Sequence, residues 1–597
     1  MFRFCQTAVA AGAVLLSCLL PCGGPAQAAA AAPAKTLHMF LSGAESTLDP
    51  AVASDLASLT LLENLFDPLL HYDYLARPVK LQENAARAMP EVDQGGTSYL
   101  FHIKPGRYFT PDSAFKGARR EVTAQDYVYS LKRLYDPNLK SPWLFLLQDK
   151  IVGDAGLKGD TFSYDSHIEG LRALDRYTLR IRLTAPDPNF LFYLAMPATG
   201  VVAREAIEAY AGQAGNHPVG SGPFMLGEWR RSHKIVLLAN PDFRSTVFHA
   251  GPDVEPQDRA LAAALEGQRL PLVDRIEVSI VEEYQSRVLG FLKGQFDYLE
   301  QVPESLTDMV LDKGALKPEL AARGIALVRF PVLQTYYMWM NMEDPLLGGY
   351  SKDKVALRRA IALSYNGAED IALLKKGLAI AAQSPLPPNV LGYDPAYRSP
   401  TVYDPALARA LLDRFGYRQG SDGFRTLPDG KPLTLVMHTE ASVTGRLRDE
   451  FWRRGLAAIG LRVVFKGDKK SEIIKASRLG QVQMFETNWV ADFPDGDNFL
   501  QLLYGPNSGR ANYAHFTLPA YDKLYEAARL LPDSPPRRAL YHDMAQLIHA
   551  YAPWVVLTHP VSADLRQPWL KNHKRHPVEF TAWRYLDLDG APAKTPR

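Results

Sequence analysis

Segments with the two-residue period of a β-strand alternate along the whole chain with segments that have the 3.6-residue period of a helix. Apolar side chains occupy every second position in Tyr177–Leu183, Arg275–Val281 and Leu433–Met437, as expected for strands with one buried face. The pattern contains no internal repeat and no long low-complexity run. Mixed strands and helices over this length predict an α/β protein with more than one lobe.

The helices are predicted from their starting signals. Thr123 precedes an apolar stripe and Asp126 stands three residues later, which is the spacing of a capping box. Asp404 precedes a proline and a second apolar stripe, and two more helices are predicted to begin at Pro519 and Pro535.

Residues 1–28 are predicted to be a secretory signal peptide. Arg3 supplies a basic start, and the uncharged stretch Ala8–Leu20 is too short to cross a bilayer. The small residues of Ala26–Ala28 suit a signal peptidase. We therefore expect the protein in the periplasm, cleaved after Ala28. The alternative is a lipid anchor at Cys18, because the residues before it resemble a lipobox.

All three cysteines, Cys5, Cys18 and Cys22, lie inside this signal. The exported protein would contain no disulfide and would be stabilised by core burial alone. The 67 basic residues nearly balance the 65 acidic ones, for a net charge of +2. That balance argues against nucleic acid as a partner.

Enzyme motifs are missing from the sequence. It contains no His-Glu-x-x-His helix, no Cys-x-x-Cys and no Gly-x-Ser-x-Gly elbow. The segment Val219–Pro223 lacks the third glycine of a nucleotide loop, and Pro223 removes an amide that a phosphate would need. The segment His573–His576 has no accompanying carboxylate or cysteine, so we expect a solvated basic loop there. The sequence thus predicts no enzyme, no metal site and no cofactor.

Several segments, in order along the chain, resemble signatures of the bacterial extracellular solute-binding proteins of family 5, which include dipeptide- and oligopeptide-binding proteins. They are Ser46–Pro50, Leu62–Leu70, Phe101–Phe109, Thr123–Asp126, Pro218–Phe224, Asn240–Phe243, Leu357–Ile361, Tyr403–Pro405 and Trp489–Asp495.

The sequence departs from this family pattern at four places. Phe115–Glu121 lengthens a loop, and Arg244–Leu270 is a longer insertion than the family usually carries. Asn366 stands where an aspartate is common, and Gly496 replaces the usual proline.

The resemblance implies a two-lobed periplasmic-binding-protein fold of type II, cluster C, with an extra third domain. Lobe I is expected to comprise residues 36–70, 218–330 and 556–590. The extra domain is expected at 71–217 and lobe II at 331–555.

The resemblance also implies a function. We expect the substrate-binding receptor of an ABC transporter, a monomer that captures short peptides in an interlobe cleft and delivers them to a permease in the inner membrane. Within the same fold, the cargo could instead be haem, a nickel chelate, an opine or a sugar. Two functions of a different class stay open: a secreted hydrolase, and a structural or chaperone protein of the envelope.

Four residues are predicted to bind the ligand. Asp492 matches the family position that holds a peptide amine, and its apolar neighbours leave a carboxylate in need of a partner. An internal salt bridge or a helix cap is the alternative for Asp492. Trp489 could line the pocket or belong to the core. Glu45 aligns with a ligand-facing position, and a surface glutamate is the alternative. Tyr336 lies on the predicted crossover strand into lobe II, where it could contact ligand or pack. The partner of the ligand carboxylate stays open.

Overall fold

The computed structural model describes residues 34–159 and 162–590, without the Arg244 side chain. The predicted signal peptide and Cys18 lie outside the described residues. From Lys35 onward the chain forms one unit. Its lobe and domain boundaries remain a prediction.

The strands range from two-residue ladders to one long central strand. They are β1 (Thr36–Leu41), β2 (Leu70–Tyr72), β3 (Leu81–Glu83), β4 (Glu91–Val92), β5 (Ser98–His102), β6 (Leu171–Ala173), β7 (Thr178–Arg182), β8 (Phe224–Arg230), β9 (Lys234–Ala239), β10 (Arg275–Ile280), β11 (Tyr298–Leu299), β12 (Leu311–Asp312), β13 (Ala315–Leu316), β14 (Ala326–Pro331), β15 (Gln334–Met340), β16 (Ala379–Ala381), β17 (Thr434–Glu440), β18 (Arg462–Asp468), β19 (Met484–Val490), β20 (Trp554–Arg566), β21 (Leu570–Lys571) and β22 (Asp587–Leu588).

The helices lie between these strands. They are α1 (Leu56–Leu65), α2 (Ala124–Arg133), α3 (Phe190–Tyr193), α4 (Arg204–Ala209), α5 (Arg259–Leu265), α6 (Tyr284–Leu292), α7 (Thr307–Val310), α8 (Pro318–Ala322), α9 (Lys352–Leu363), α10 (Gly367–Glu369), α11 (Pro405–Arg414), α12 (Val443–Ala457), α13 (Lys470–Arg478), α14 (Asp497–Leu500), α15 (Pro519–Ala528) and α16 (Pro535–Tyr551).

The elements predicted from periodicity and caps are confirmed. The predicted strands correspond to β7, β10 and β17, and the predicted helices to α2, α11, α15 and α16. At the start of α2, Thr123 and Asp126 form the expected capping box. At the start of α11, the Asp404 carboxylate accepts a hydrogen bond from the Leu407 amide at 2.8 Å.

Three sheets organise the chain. The first sheet has the order β1-β10-β9-β8, with β1 parallel to β10. The second sheet has the order β11-β20-β15-β19-β17-β18, and β14 and β16 also pair with β20. The third sheet, β4-β5-β7-β6, is antiparallel. The 13-residue strand β20 therefore joins four neighbouring strands into one sheet.

Strand β15 is buried on both faces. Tyr337 and Trp339 face a hydrophobic cluster that includes residues of α15 and α16. Met338 and Met340 face another cluster, to which α9, α11 and α12 contribute. Because side chains alternate across a strand, helices covering both faces require a continuous apolar run. The second sheet is thus a central layer between two layers of helices.

A buried ion pair holds the turn that follows β19. Arg537 on α16 donates to both carboxylate oxygens of Asp495, at 2.6 and 2.9 Å. The two side chains are 2% and 1% exposed. The hydroxyl of Tyr541 donates to the same carboxylate at 3.0 Å. This network ties the end of β19 to α16.

Among residues 34–159 and 162–590, no helix is both long enough and apolar enough to cross a bilayer.

Removing one partner of the buried pair should strongly destabilise the fold. Arg537→Ala leaves the Asp495 carboxylate buried without its cation, and we expect a loss of about 3–5 kcal/mol in the free energy of unfolding. Urea denaturation measures this change. The control is Arg453→Ala, which removes an exposed pair with Glu450 and should cost about 0–1 kcal/mol. Equal losses in the two variants would contradict a structural role for the buried pair.

Candidate functional site

A cavity of about 580 Å³ is enclosed by elements of the first and second sheets and by a segment that packs on the third. Its walls are mostly apolar and carry a few polar groups, as is usual for small-ligand sites. The lining comes from β1, α1 and α6, from residues 195–198, 298–301, 332–334 and 490–492, and from the loop 575–581.

Asp492 opens to this cavity directly after β19. Its Oδ2 accepts a hydrogen bond from Asn498 Nδ2 at 3.0 Å, and its backbone amide donates to Asn498 Oδ1 at 3.2 Å. Within the described part of the chain, Asp492 forms no ion pair. Burial raises the pKa of the Asp492 carboxyl, and the hydrogen bond from Asn498 opposes that rise. A cationic ligand group would offset the free-energy cost of burying the ionised carboxylate.

Trp489 is not among the described residues that line the cavity, and it contacts the residue that holds Asp492. Its indole Nε1 donates to Asn498 Oδ1 at 2.8 Å, and its ring packs against the same cluster as α15 and α16. Asn498 is fully buried and therefore links Trp489 to Asp492. The tryptophan can orient the carboxylate through this amide.

The residues after Asp492 are closely packed. Phe493 inserts into the hydrophobic cluster of the third sheet and stacks on Phe192, with ring centres 6.3 Å apart. Gly496 leaves no room for a side chain, because a Cβ there would lie 2.6 Å from the Tyr541 ring. The backbone that follows Asp492 is thus held by close packing.

Arg287 brings a positive charge to the same cavity. It lies on α6 and is 7% exposed. Its Nη2 donates to the Glu282 carbonyl at 3.2 Å, while its Nε is buried with no hydrogen-bond partner in the described part of the chain. The guanidinium lies 4.2 Å from the centre of the Tyr284 ring. Within the described residues no carboxylate forms an ion pair with it.

Another wall of the cavity is acidic. Glu63 accepts hydrogen bonds from the amides of Phe580 and Thr581, at 3.1 and 2.8 Å. Glu579 faces His71, with 3.8 Å between Oε1 and Nδ1, and its Oε2 is buried without a hydrogen bond. Burial raises the pKa of both carboxyls, and repulsion from Glu579 raises that of Glu63 further.

The expectation of a solvated basic loop at His573–His576 is wrong. His576 is 3% exposed and lines the cavity. The cations of the segment are paired: Lys574 with Asp258, and Arg575 with Glu300. These acidic partners are more than 250 residues away in sequence, so the local pattern could not reveal them.

His576 is poorly suited to ligate a metal. Its Nδ1 accepts hydrogen bonds from the amides of Val578 and Glu579, at 3.1 and 2.9 Å. In the neutral ring the proton therefore sits on the buried Nε2, where the backbone of Asp73 is the group it faces. No cluster of three or more potential metal ligands is found within the described residues.

Glu45 and Tyr336 lie elsewhere. Glu45 is buried, and its Oε1 accepts a hydrogen bond from Trp229 Nε1 at 2.6 Å, so the surface alternative is wrong. Tyr336 lines a second cavity of about 450 Å³, with Lys375 Nζ 3.7 Å from its ring centre. Burial raises the pKa of Tyr336 to about 12. The structure therefore does not bring Glu45 or Tyr336 to the wall that holds Asp492.

Sequence reasoning missed Arg287 and the acidic wall. Arg287 does carry a signal, since it shares the buried face of α6 with Val288 and Phe291. A charged residue within an apolar helical stripe indicates a specific partner. Glu63 and Glu579 carry no such signal, because they come from opposite ends of the chain.

Comparison with known proteins agrees with this architecture. Residues 80–511 match the family model described as bacterial extracellular solute-binding proteins, family 5 Middle. Di/tripeptide-binding protein 2 of Pseudomonas aeruginosa is 26% identical, covering 94% of this chain and 97% of the relative. Heme-binding protein A of Haemophilus influenzae is 25% identical, with 84% and 83% covered.

Solved structures share the fold. HbpA2 from Haemophilus parasuis superposes with a TM-score of 0.74 at 19% identity, covering 93% of this chain and 100% of that one. DppA from Helicobacter pylori in complex with the peptide STSA gives a TM-score of 0.66 at 22% identity, covering 93% and 98%. The predicted two-lobed binding-protein fold is confirmed.

The acidic wall should make stability depend on pH. A carboxyl whose pKa is raised on folding stabilises the protein fully below the ordinary value of 4.5. This contribution is lost as the pH rises through the folded-state value. Glu579→Gln should therefore flatten the fall in the free energy of unfolding between about pH 5 and about pH 8. Urea denaturation across this range, with the exposed Glu450→Gln as control, measures the difference. An unchanged slope in Glu579→Gln would contradict the assignment.

Proposed function

The chain belongs to the bacterial extracellular solute-binding proteins of family 5, and we propose that it captures short peptides for an ABC importer. The family consists of solute-binding receptors rather than enzymes. In this proposal the mature protein is a periplasmic monomer that delivers its ligand intact to an inner-membrane permease. Relatives named for di- and tripeptides support peptides as cargo.

Asp492 is the observation that carries the proposal. It is a carboxylate at the wall of a partly apolar cavity, and no cation of the described residues pairs with it. A peptide presents an ammonium group at one end, and that group is the complement of such a carboxylate. Asn498 holds the carboxylate in place before ligand arrives, which lowers the entropic cost of binding.

The cavity also suits a ligand of varied sequence. Its remaining lining is largely apolar or backbone, including Met39–Leu41 and Ala195–Ala198. Burying apolar surface stabilises a complex and does not require one particular chemical group on the ligand. Charge at the ends of the ligand would give orientation, while the side chains between would be held loosely. Trp489 contributes by orienting Asp492 through Asn498.

Haem is the alternative cargo that a relative's name raises. His576 argues against it as an axial ligand, since two backbone amides occupy its Nδ1 and leave the proton on Nε2. To bind the haem iron through Nε2, His576 would have to lose that proton while it is buried. Peptides therefore remain the proposed cargo.

Ligand binding should raise the melting temperature. A ligand that binds only the folded state adds about 2.7 kcal/mol at a hundredfold excess over its Kd. A panel of di- to pentapeptides measured by thermal denaturation tests this, with haem, a nickel chelate and an opine in parallel. Mass spectrometry of the recovered peptides should find them intact. Stabilisation by haem alone, or peptide fragments, would overturn the proposal.

Asp492 and the ligand amine should behave as one interaction. Asp492→Asn keeps the shape and removes the charge, and we expect a loss of about 1.5–3 kcal/mol in binding free energy. N-acetylation of the peptide should cost the wild type a similar amount. The two changes together should cost much less than their sum.

Calorimetry at fixed pH and salt measures this cycle. Glu450→Gln, a carboxylate on the exposed face of α12, is the control and should bind like the wild type. Additive losses would mean that Asp492 acts only on the structure. Equal affinity for free and acetylated peptides would mean that the amine is not recognised.

A further inference from the structure

Arg287 is a buried cation whose charge is not balanced within the described part of the protein. A guanidinium stays protonated at any physiological pH, so deprotonation cannot remove the cost of burying its charge. It is 7% exposed, and its Nε has no hydrogen-bond partner among the described residues. Buried charges are normally paired. The carbonyl of Glu282 and the ring of Tyr284 contact it, and neither supplies a negative charge.

The second arginine that lines the cavity is already occupied. Arg575 forms ion pairs with Glu300 and with Asp564, the latter at 3.4 Å. Asp564 is fully buried. Of these two guanidiniums, Arg287 is therefore the one whose charge is available to a ligand.

Arg287 and Asp492 reach the cavity from different sheets. Arg287 lies on α6, which follows β10 of the first sheet, and Asp492 follows β19 of the second. One wall thus offers a positive charge and another a negative charge, in a space of about 580 Å³. This arrangement complements a short molecule that carries both charges.

We propose that Arg287 binds the carboxylate of the ligand and, together with Asp492, selects short zwitterions with free ends. The inference rests on the proposed function and extends it by naming the anchor for the second charge. The planar guanidinium can make two parallel hydrogen bonds to a carboxylate. The ring of Tyr284, with its centre 4.2 Å from the guanidinium carbon, supports one side of this group.

Calorimetry with trialanine and trialanine amide tests the proposal. Amidation removes the carboxylate charge, and wild-type affinity should fall about tenfold to hundredfold. Arg287→Gln should lose a similar factor for the free acid and should then bind acid and amide nearly equally. Arg287→Lys keeps the charge but not the planar group, and should retain part of the discrimination.

Arg323→Gln is the matched control. Arg323 is exposed and donates to the carbonyl of Leu292 at the end of α6, so its loss perturbs the same helix without touching the cavity. This variant should discriminate between acid and amide as the wild type does. Circular dichroism and melting temperature establish that each variant is folded.

Two results would overturn the proposal while peptide binding stands. One is equal wild-type affinity for trialanine and its amide, a comparison that needs no variant at all. The other is additive losses from Arg287→Gln and amidation, which would assign Arg287 to packing on Tyr284. If neither trialanine nor any peptide of the panel binds, the proposed function fails, and this inference fails with it.

Discussion

The bidentate pair between Arg537 and Asp495 is the contact on which the geometry of the site depends. It joins α16 to the turn that follows β19 at almost complete burial. Little water competes there, and a misplaced partner would leave an isolated charge. The turn is therefore held in one position. The position of this turn also determines where Asp492 lies, three residues earlier. It likewise determines the position of Phe493, which packs into the hydrophobic cluster of the third sheet.

Two carboxylates of one short segment have opposite roles. The Asp495 carboxylate accepts four hydrogen bonds, two of them from the buried cation Arg537, whereas Asp492 has one amide and an open side. Neighbouring residues of the same type can differ in this way because a single turn points them to different surroundings. The difference separates a group that supports the structure from one that can bind a ligand.

The sequence was sufficient for the elements and the family, and only partly for the site. Period-2 and 3.6-residue patterns identified β7, β10, β17 and the capped helices, because these signals are local. Asp492 was predicted from a motif, and the structure places it at the cavity. The surface alternative for Glu45 and the solvated loop around Arg575 were wrong because the partners of these residues, Trp229 and Glu300, are far away in sequence. Burial of a charged residue depends on such distant partners, and a local pattern cannot supply them.

The packing around Gly496 limits how this chain can change over generations. The backbone there has a φ of −60°, which suits the proline that the family usually carries. Space and hydrogen bonding, rather than conformation, exclude it, because Leu386 and Tyr541 fill the volume next to the glycine and the Gly496 amide donates to the Leu391 carbonyl at 3.0 Å. A proline at 496 would require room next to both Leu386 and Tyr541 and would lose the hydrogen bond to Leu391. A smaller residue at 541 would also remove a donor from Asp495. Gly496 is therefore expected to change only together with several of its neighbours, and a single substitution there should be poorly tolerated.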